Sequence, residues 1–137
     1  MSSARRVLFL CTGNSCRSQM AEAIVNARFP NWRAFSAGVR PSGIVHPMAV
    51  QVLHEIGLEH RGESKSAERF RGEEFDLVIT LCNEAKEDCP VWLGKGNRLH
   101  EGFTDPAGAD GTEAQRLEVF RQVRDQLSQK LKQILNE

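Results

Sequence analysis

Residues 7–18 read VLFLCTGNSCRS, and this stretch decides the fold. Its first four residues are apolar without alternation, which is typical of a strand buried on both faces of a parallel sheet. Small and polar residues follow as a loop, and residues 19–29 then place Met20 and Ile24 on one face of a helix. A strand, a tight loop and a helix in this order predict the first unit of an α/β fold.

The rest of the chain continues to alternate strands and helices. Buried or short strands are predicted at residues 32–37, 76–81 and 99–103. This order predicts one α/β domain spanning residues 1–137, with a parallel sheet that has helices on both faces. The helices are predicted from Pro47 to Gly57, over residues 66–70 and after a capping box at 112–115, and residues 82–98 are predicted as a loop.

Composition narrows the class of protein. The chain has 137 residues, of which 40% are hydrophobic and 26% charged, as in ordinary globular domains. Its formal net charge is zero, which gives no reason to expect a nucleic-acid or membrane-surface partner. No apolar run approaches the roughly 20 residues of a membrane span or resembles a signal peptide, so we expect a cytoplasmic protein. Four cysteines are then expected to be catalytic, redox-active or metal-binding rather than structural.

The loop after the first strand predicts an oxyanion site with a thiol nucleophile. Backbone N–H groups of such a loop and the following helix N-terminus favour negative charge, including a thiolate at Cys11. Arg17 offers a planar fork of donors that matches two oxygens of phosphate or arsenate. We predict oxyanion binding by the whole loop, which comprises Thr12, Gly13, Asn14, Ser15, Cys16, Arg17 and Ser18.

Individual loop residues are given narrower expectations. Gly13 and Asn14 are expected at positive φ, which a tight anion-binding nest requires. Ser18 is expected both to donate to the Cys11 thiolate and to cap the helix. Cys16 is interpreted as a small packed residue in preference to a redox-active one.

Three chemistry-bearing residues follow different predicted strands. Cys11 follows the first, Cys82 the third and Asp105 the fourth, and parallel strands bring their carboxyl ends to one edge of the sheet. Asp105 is the candidate general acid for a departing oxygen. Taken alone, Asp105 before Pro106 would be a turn former, but the cysteine loop on the same edge favours the catalytic interpretation.

At these residues the sequence resembles the low-molecular-weight protein tyrosine phosphatase superfamily, and more narrowly the thioredoxin-coupled arsenate reductases built on that fold. The resemblance extends over nearly the whole chain and implies a four-stranded parallel sheet flanked by helices. It is carried by CTGNSCRSQMAE from residue 11, SAG from 36, VITLC from 78, CP at 89–90 and GFTDPAG from 102.

The resemblance also implies a three-cysteine relay. Cys11 attacks arsenate, which Arg17 and the loop hold and Asp105 protonates; Cys82 then attacks Cys11, and Cys89 attacks Cys82. Thioredoxin is the implied reductant of a monomeric enzyme without a cofactor, although relatives that use glutaredoxin or mycothiol share much of the fold. The same loop is expected to accept phosphate or sulfate.

Two other functions stay open at this point. A phosphatase would use only Cys11, Arg17 and Asp105, and Cys82 and Cys89 would then be inert. Phosphatases of this fold usually carry an aromatic residue after the Asp-Pro pair, whereas this chain has an alanine there and contains no tyrosine. A non-enzymatic anion-binding or redox-responsive module would bind without turnover.

The spacing of Cys82 and Cys89 predicts a structural change on oxidation. Residues seven apart on a helix are separated by about 10.5 Å along the axis, whereas a disulfide needs Cα atoms roughly 4.4–6.8 Å apart. A helix over residues 83–89 in the reduced protein would therefore unwind when these two cysteines join.

No metal site is predicted. Some thioredoxin-linked relatives hold potassium near the loop, and Asn14, Glu22 and Ser36 match that site, but SKS at 64–66 lacks the family's carboxylate. Lys65 is expected either to place its ammonium where the cation would be or to point to solvent. The four histidines have no ligand spacing and are expected at the surface or in polar packing.

Overall fold

Four parallel strands form the centre of the molecule, as the sequence predicts. The computed structural model describes residues 4–83, 92 and 94–135. The sheet has the order β2-β1-β3-β4, so the first strand lies inside it and pairs on both sides. Its strands are β1 (Arg5–Cys11), β2 (Trp32–Gly38), β3 (Glu74–Thr80) and β4 (Lys95–His100).

Three α-helices cover one face of this sheet. They are α1 (Arg17–Arg28), α2 (Pro47–Glu55) and α3 (Glu113–Leu135), and α3 packs against both of the others. Within the described residues, the opposite face is covered by a smaller apolar cluster that includes Phe70, Phe75 and Trp92. The α-helices thus lie on one face of the described part, and aromatic side chains cover the other. In the described ranges, no helix combines the length and apolar character that crossing a bilayer requires.

The predicted boundaries are wrong at β4 and at α1. β4 begins at Lys95 and ends at His100, whereas the sequence predicted a loop through residue 98 and a strand at 99–103. This edge strand pairs only with β3 among the described strands, so its exposed polar residues carry no hydrophobic signal. Helix α1 begins at Arg17, two residues earlier than predicted, because the oxyanion loop leads directly into it.

The helix-start signals are confirmed. Pro47 is at the beginning of α2, and Gly57 after that helix has a φ of +83°. The capping box at α3 is reciprocal: the Thr112 N–H donates to Gln115 Oε1 at 2.8 Å, and the Gln115 N–H donates to Thr112 Oγ1 at 3.1 Å. These local bonds satisfy N–H groups at the start of α3 that have no partner within the helix.

Candidate active site

The carboxyl edge of the sheet carries the residues that the sequence predicted to meet there. Cys11 is the last residue of β1, Cys82 lies two residues beyond β3 and Asp105 lies five residues beyond β4. The Leu81 N–H donates to the Leu10 carbonyl at 2.8 Å, which extends the pairing of β1 with β3 up to Cys82. The topology therefore places the three residues along one edge.

The loop after β1 turns its carbonyl groups outwards. Planar trans peptides place each N–H opposite the preceding carbonyl, so the N–H groups of residues 13, 14 and 16 point away from these carbonyls and are available to an anion. At three points these carbonyl groups accept a hydrogen bond from a neighbouring backbone N–H group. The Arg40 N–H donates to Thr12 (2.9 Å), the Ser42 N–H to Gly13 (3.0 Å) and the His46 N–H to Ser15 (3.0 Å).

Asn14 is the strained residue of the loop. It is fully buried and has a φ of +49°, in the left-handed region, as expected for it. Its Nδ2 donates to Ser18 Oγ (2.8 Å), and its Oδ1 accepts from Gln19 Nε2 (3.0 Å) and the Lys65 N–H (2.9 Å). The prediction of positive φ is wrong for Gly13, because Asn14 alone supplies the reversal in the described loop.

The Cys11 sulfur lies 2.9 Å from Ser18 Oγ, and both groups are buried. Since Ser18 Oγ already accepts from Asn14, its own hydroxyl proton is free to be donated to a thiolate at Cys11. The expectation that Ser18 also caps α1 is wrong. The N-cap position is Cys16, and no side chain caps it.

Arg17 connects the loop to the segment after β4. Its side chain is buried, its Nη1 donates to the Phe103 carbonyl at 3.2 Å, and its Nη2 lies 3.8 Å from Asp105 Oδ2. Asp105 is half-exposed, and its Oδ1 accepts the Ala107 N–H at 3.0 Å. Asp105 therefore forms the turn that the sequence suggested and also faces the guanidinium, while its role as a general acid stays a prediction.

A cavity of about 440 Å³ opens over this edge. Its wall includes Cys11, Gly13, Ser15, Cys16 and Arg17 of the loop region. The remaining wall is formed by Ser42, Ile44, His46, Asp105 and Ala107. The side chains of Asn14 and Ser18 are buried behind the loop and hold its shape, while Thr12 contributes the carbonyl described above.

Cys16 lies in the cavity wall but is poorly suited to react. Burial is the main cause that raises the pKa of its thiol, to about 12, and the nearby Asp105 and Cys11 add to the effect. Cys16 therefore remains a protonated, buried thiol at neutral pH, in agreement with its interpretation as a packed residue.

The end of β2 lies close to the oxyanion loop at Gly38. A Cβ atom at this position would lie 2.6 Å from the Thr12 carbonyl oxygen and 2.9 Å from the Asn14 nitrogen. Both are backbone atoms of the oxyanion loop and cannot rotate away. Glycine is therefore required here for the loop to reach its position.

Lys65 points inward beside the loop rather than to solvent. Its Nζ donates to the Glu63 carbonyl (3.0 Å) and lies 3.4 Å from Ser36 Oγ and 3.8 Å from Glu22 Oε1. Burial lowers the pKa of Lys65, which Glu22 opposes, and burial raises the pKa of Glu22, which Lys65 opposes. The ammonium thus lies beside Ser36 and Glu22, two of the three residues that match the potassium site of the resemblance. In the described part no three His, Cys, Asp or Glu residues form a metal-binding group.

Two side chains near the loop had no role in the sequence interpretation. Gln19 is fully buried and donates to the Asn14 and Glu63 carbonyls, which ties α1 to the segment before β3. His46 lies in the cavity wall and accepts the Met48 N–H at Nδ1. A histidine before a helix-starting proline is a weak signal for a cap, and the sequence offers no signal that it faces a cavity.

Cys82 is not among the residues that line the cavity. Cys82 is fully buried and disulfide-bonded, whereas Cys11 and Cys16 are free thiols. Cys89 lies outside the described residues.

Comparison with known proteins places this geometry in a family. The model of the family "Low molecular weight phosphotyrosine protein phosphatase" matches residues 6–137. The chain belongs to this family. The arsenate reductase of Halalkalibacterium halodurans is 41% identical to it over 128 residues, which cover 92% of this chain and 91% of the relative.

Solved structures of family members share the fold. An arsenate reductase from Archaeoglobus fulgidus superposes with a TM-score of 0.82 at 30% identity, covering 96% of this chain and 99% of the other. An arsenate reductase in the phosphate-binding state gives a TM-score of 0.79 at 31% identity, covering 96% and 97%. A low molecular weight protein tyrosine phosphatase from T. tengcongensis gives 0.71 at 30% identity, covering 97% and 99%. The fold is therefore common to reductases and phosphatases.

Proposed function

We propose that this protein is an arsenate reductase that uses Cys11, Cys82 and Cys89 in turn. The observation that carries the proposal is the cavity in which Cys11, Arg17 and Asp105 meet, with Cys82 at the end of the neighbouring strand. Relatives named arsenate reductase at about 40% identity support it.

The first step is covalent capture of arsenate by Cys11. The thiolate, which Ser18 is positioned to stabilise, forms a sulfur–arsenic bond while one arsenic–oxygen bond breaks. The oxygen leaves as water with a proton supplied by Asp105. Loop N–H groups and the Arg17 guanidinium hold the other oxygens and stabilise their charge. The other predicted loop residues, Thr12, Gly13, Asn14, Ser15, Cys16 and Ser18, shape this cradle through their backbone or support it from behind.

The second stage transfers two electrons from thiols to arsenic. The Cys82 thiolate attacks the Cys11 sulfur, a disulfide forms, and the sulfur–arsenic bond breaks with its electron pair left on arsenic, which leaves as arsenite. The Cys89 thiolate then attacks Cys82 and releases Cys11 as a thiolate. The disulfide bond of Cys82 supports a redox role for this residue, whereas Cys11 and Cys16 are free thiols.

An external dithiol must reduce the last disulfide in each cycle. We propose thioredoxin for this role and a monomeric enzyme that works in the cytoplasm, where reduced thioredoxin is available. Cys82 is fully buried, so a local rearrangement is needed to bring its sulfur to Cys11 and to expose the final disulfide.

The phosphatase alternative rests on the shared cavity and on the T. tengcongensis phosphatase structure. A phosphatase would form a phosphocysteine at Cys11 and let water resolve it. The mouth of this cavity carries Ala107 rather than an aromatic residue that could hold a phenyl ring. This favours a small inorganic oxyanion over phosphotyrosine as the preferred substrate.

The test is arsenate-dependent NADPH consumption with thioredoxin and thioredoxin reductase, compared with glutathione and glutaredoxin. We expect turnover with the thioredoxin system and its loss in Cys82→Ser, while any phosphomonoester hydrolysis persists in that variant. The matched control is Cys16→Ser, which also removes a thiol but one that takes no part in the proposed relay. If the wild type hydrolyses phosphotyrosine efficiently and does not reduce arsenate, the proposal is wrong.

A further inference from the structure

A backbone hydrogen bond holds His46 beside the cavity, and His46 also forms part of the cavity wall. Its backbone N–H donates to the Ser15 carbonyl of the oxyanion loop at 3.0 Å, which fixes the start of α2 against that loop. Its side chain forms part of the same cavity wall as Cys11 and Arg17. The contact with Ser15 of the oxyanion loop therefore fixes the position of His46 beside the cavity.

The orientation and protonation of the His46 ring follow from its neighbours. Nδ1 accepts the Met48 N–H at 3.1 Å, and the ring packs on Phe120 with 4.7 Å between centroids. A nitrogen that accepts a backbone N–H carries no proton, so the proton of the neutral ring is on Nε2. Burial lowers the pKa of His46 and Arg116 lowers it further, against the opposing effect of Asp105, so the ring is neutral at pH 7.

The Nε2–H group is the second polar group of the His46 ring. It makes no hydrogen bond with any residue in the ranges 4–83, 92 and 94–135. Nδ1 is occupied by the first turn of α2 and one ring face by Phe120. Neither contact uses the edge of the ring that carries Nε2–H, and His46 lines the cavity.

We propose that His46 Nε2–H donates a hydrogen bond to the oxyanion in the cavity, as an additional contact beside the loop amides and Arg17. The proposal rests on the oxyanion site of the proposed function. A neutral donor on an anionic oxygen forms a charge-assisted bond, which is stronger than a bond between neutral groups. His46 thereby belongs to the binding site and not only to the helix cap.

Two substitutions separate the two roles of His46. In His46→Asn the side-chain oxygen retains the cap, because asparagine is among the best N-cap residues, but no atom reaches the Nε2 position. In His46→Gln the amide nitrogen reaches that position, but the cap is lost. The measurements are the dissociation constant of inorganic phosphate by calorimetry at pH 7 and the thermal midpoint of each protein.

We expect His46→Asn to bind phosphate about tenfold more weakly than the wild type, which corresponds to about 1.4 kcal/mol, with a nearly unchanged thermal midpoint. His46→Gln is expected to bind within about threefold of the wild type, which is under 1 kcal/mol, and to melt at a lower temperature. Wild-type affinity in His46→Asn, or equal weakening in both variants, would overturn the inference. If phosphate binding depends on His46 but the protein never reduces arsenate, the proposed reaction is refuted and the role of His46 is retained. If the wild type binds no phosphate, both the proposed reaction and the role of His46 are refuted.

Discussion

Replacing Ser18 with alanine tests how the loop maintains a reactive thiolate. The hydroxyl lies 2.9 Å from Cys11 Sγ, and the bond it receives from Asn14 directs its own proton to the sulfur. A hydrogen bond to a charged group contributes about 1.5–3 kcal/mol. At a pH where the thiol form predominates in both proteins, the thiolate fraction should fall about 10- to 150-fold, because each 1.4 kcal/mol is about tenfold.

The assay is the rate at which iodoacetamide alkylates Cys11, measured with and without phosphate to identify the site. A less stabilised thiolate is more nucleophilic. With a Brønsted coefficient of about 0.4–0.5, the higher reactivity of each thiolate offsets roughly the square root of the fall in thiolate fraction. The net fall in rate is then about 3- to 12-fold. Ser64→Ala is the matched control, since its hydroxyl donates to the Gly13 carbonyl at 3.0 Å on the same loop without contacting Cys11. Equal alkylation rates in Ser18→Ala, Ser64→Ala and the wild type would refute the reasoning.

Three further perturbations test the fold and the relay. Glu55→Gln should lower the free energy of unfolding at pH 7 by about 1–2 kcal/mol, because Arg121 and Arg124 donate to this carboxylate and lower its pKa below the ordinary 4.5. Denaturant titrations should show that this loss of stability disappears as the pH falls through the lowered pKa, since the two arginines stabilise only the ionised carboxylate. A loss of stability that is independent of pH would contradict this. Gly38→Ala should destabilise the protein by about 1–3 kcal/mol and weaken phosphate binding, as chemical denaturation and calorimetry would show, whereas a variant with wild-type affinity would contradict the close approach to Thr12. Amide exchange of residues 82–95, followed by mass spectrometry, should differ between the reduced and oxidised proteins if the final disulfide requires rearrangement, and identical protection in both states would contradict that requirement.

The residues that the sequence located correctly are those whose signal is local. The apolar run at 7–10 identifies β1, and the loop composition after it predicts an anion site, because both signals depend on neighbours in sequence. Parallel pairing then brings Asp105 to the edge that ends in Cys11. The edge strand β4 was misplaced because its stability comes from pairing with β3 and not from its own side chains.

The parts that the sequence did not supply are set by tertiary contacts. Whether Lys65 turns inward depends on the distance between its segment and Glu22 on α1, which no local pattern encodes. The orientation of the His46 ring likewise depends on its contact with Phe120, which lies 74 residues (120 minus 46) further along the chain. The backbone of Asn14 is strained, and three hydrogen bonds of its side chain hold it in place. These bonds form only when α1 and the segment before β3 are in position, so the sequence alone does not predict them.

The central claim is that a thiol, and not water, completes the reaction begun at Cys11. It is tested most directly by mixing fully reduced protein with arsenate, without any external reductant, and measuring arsenite. We expect one arsenite and one protein disulfide per chain for the wild type, and no arsenite from Cys82→Ser. A wild type that forms no arsenite, or a Cys82→Ser variant that forms as much as the wild type, would contradict it.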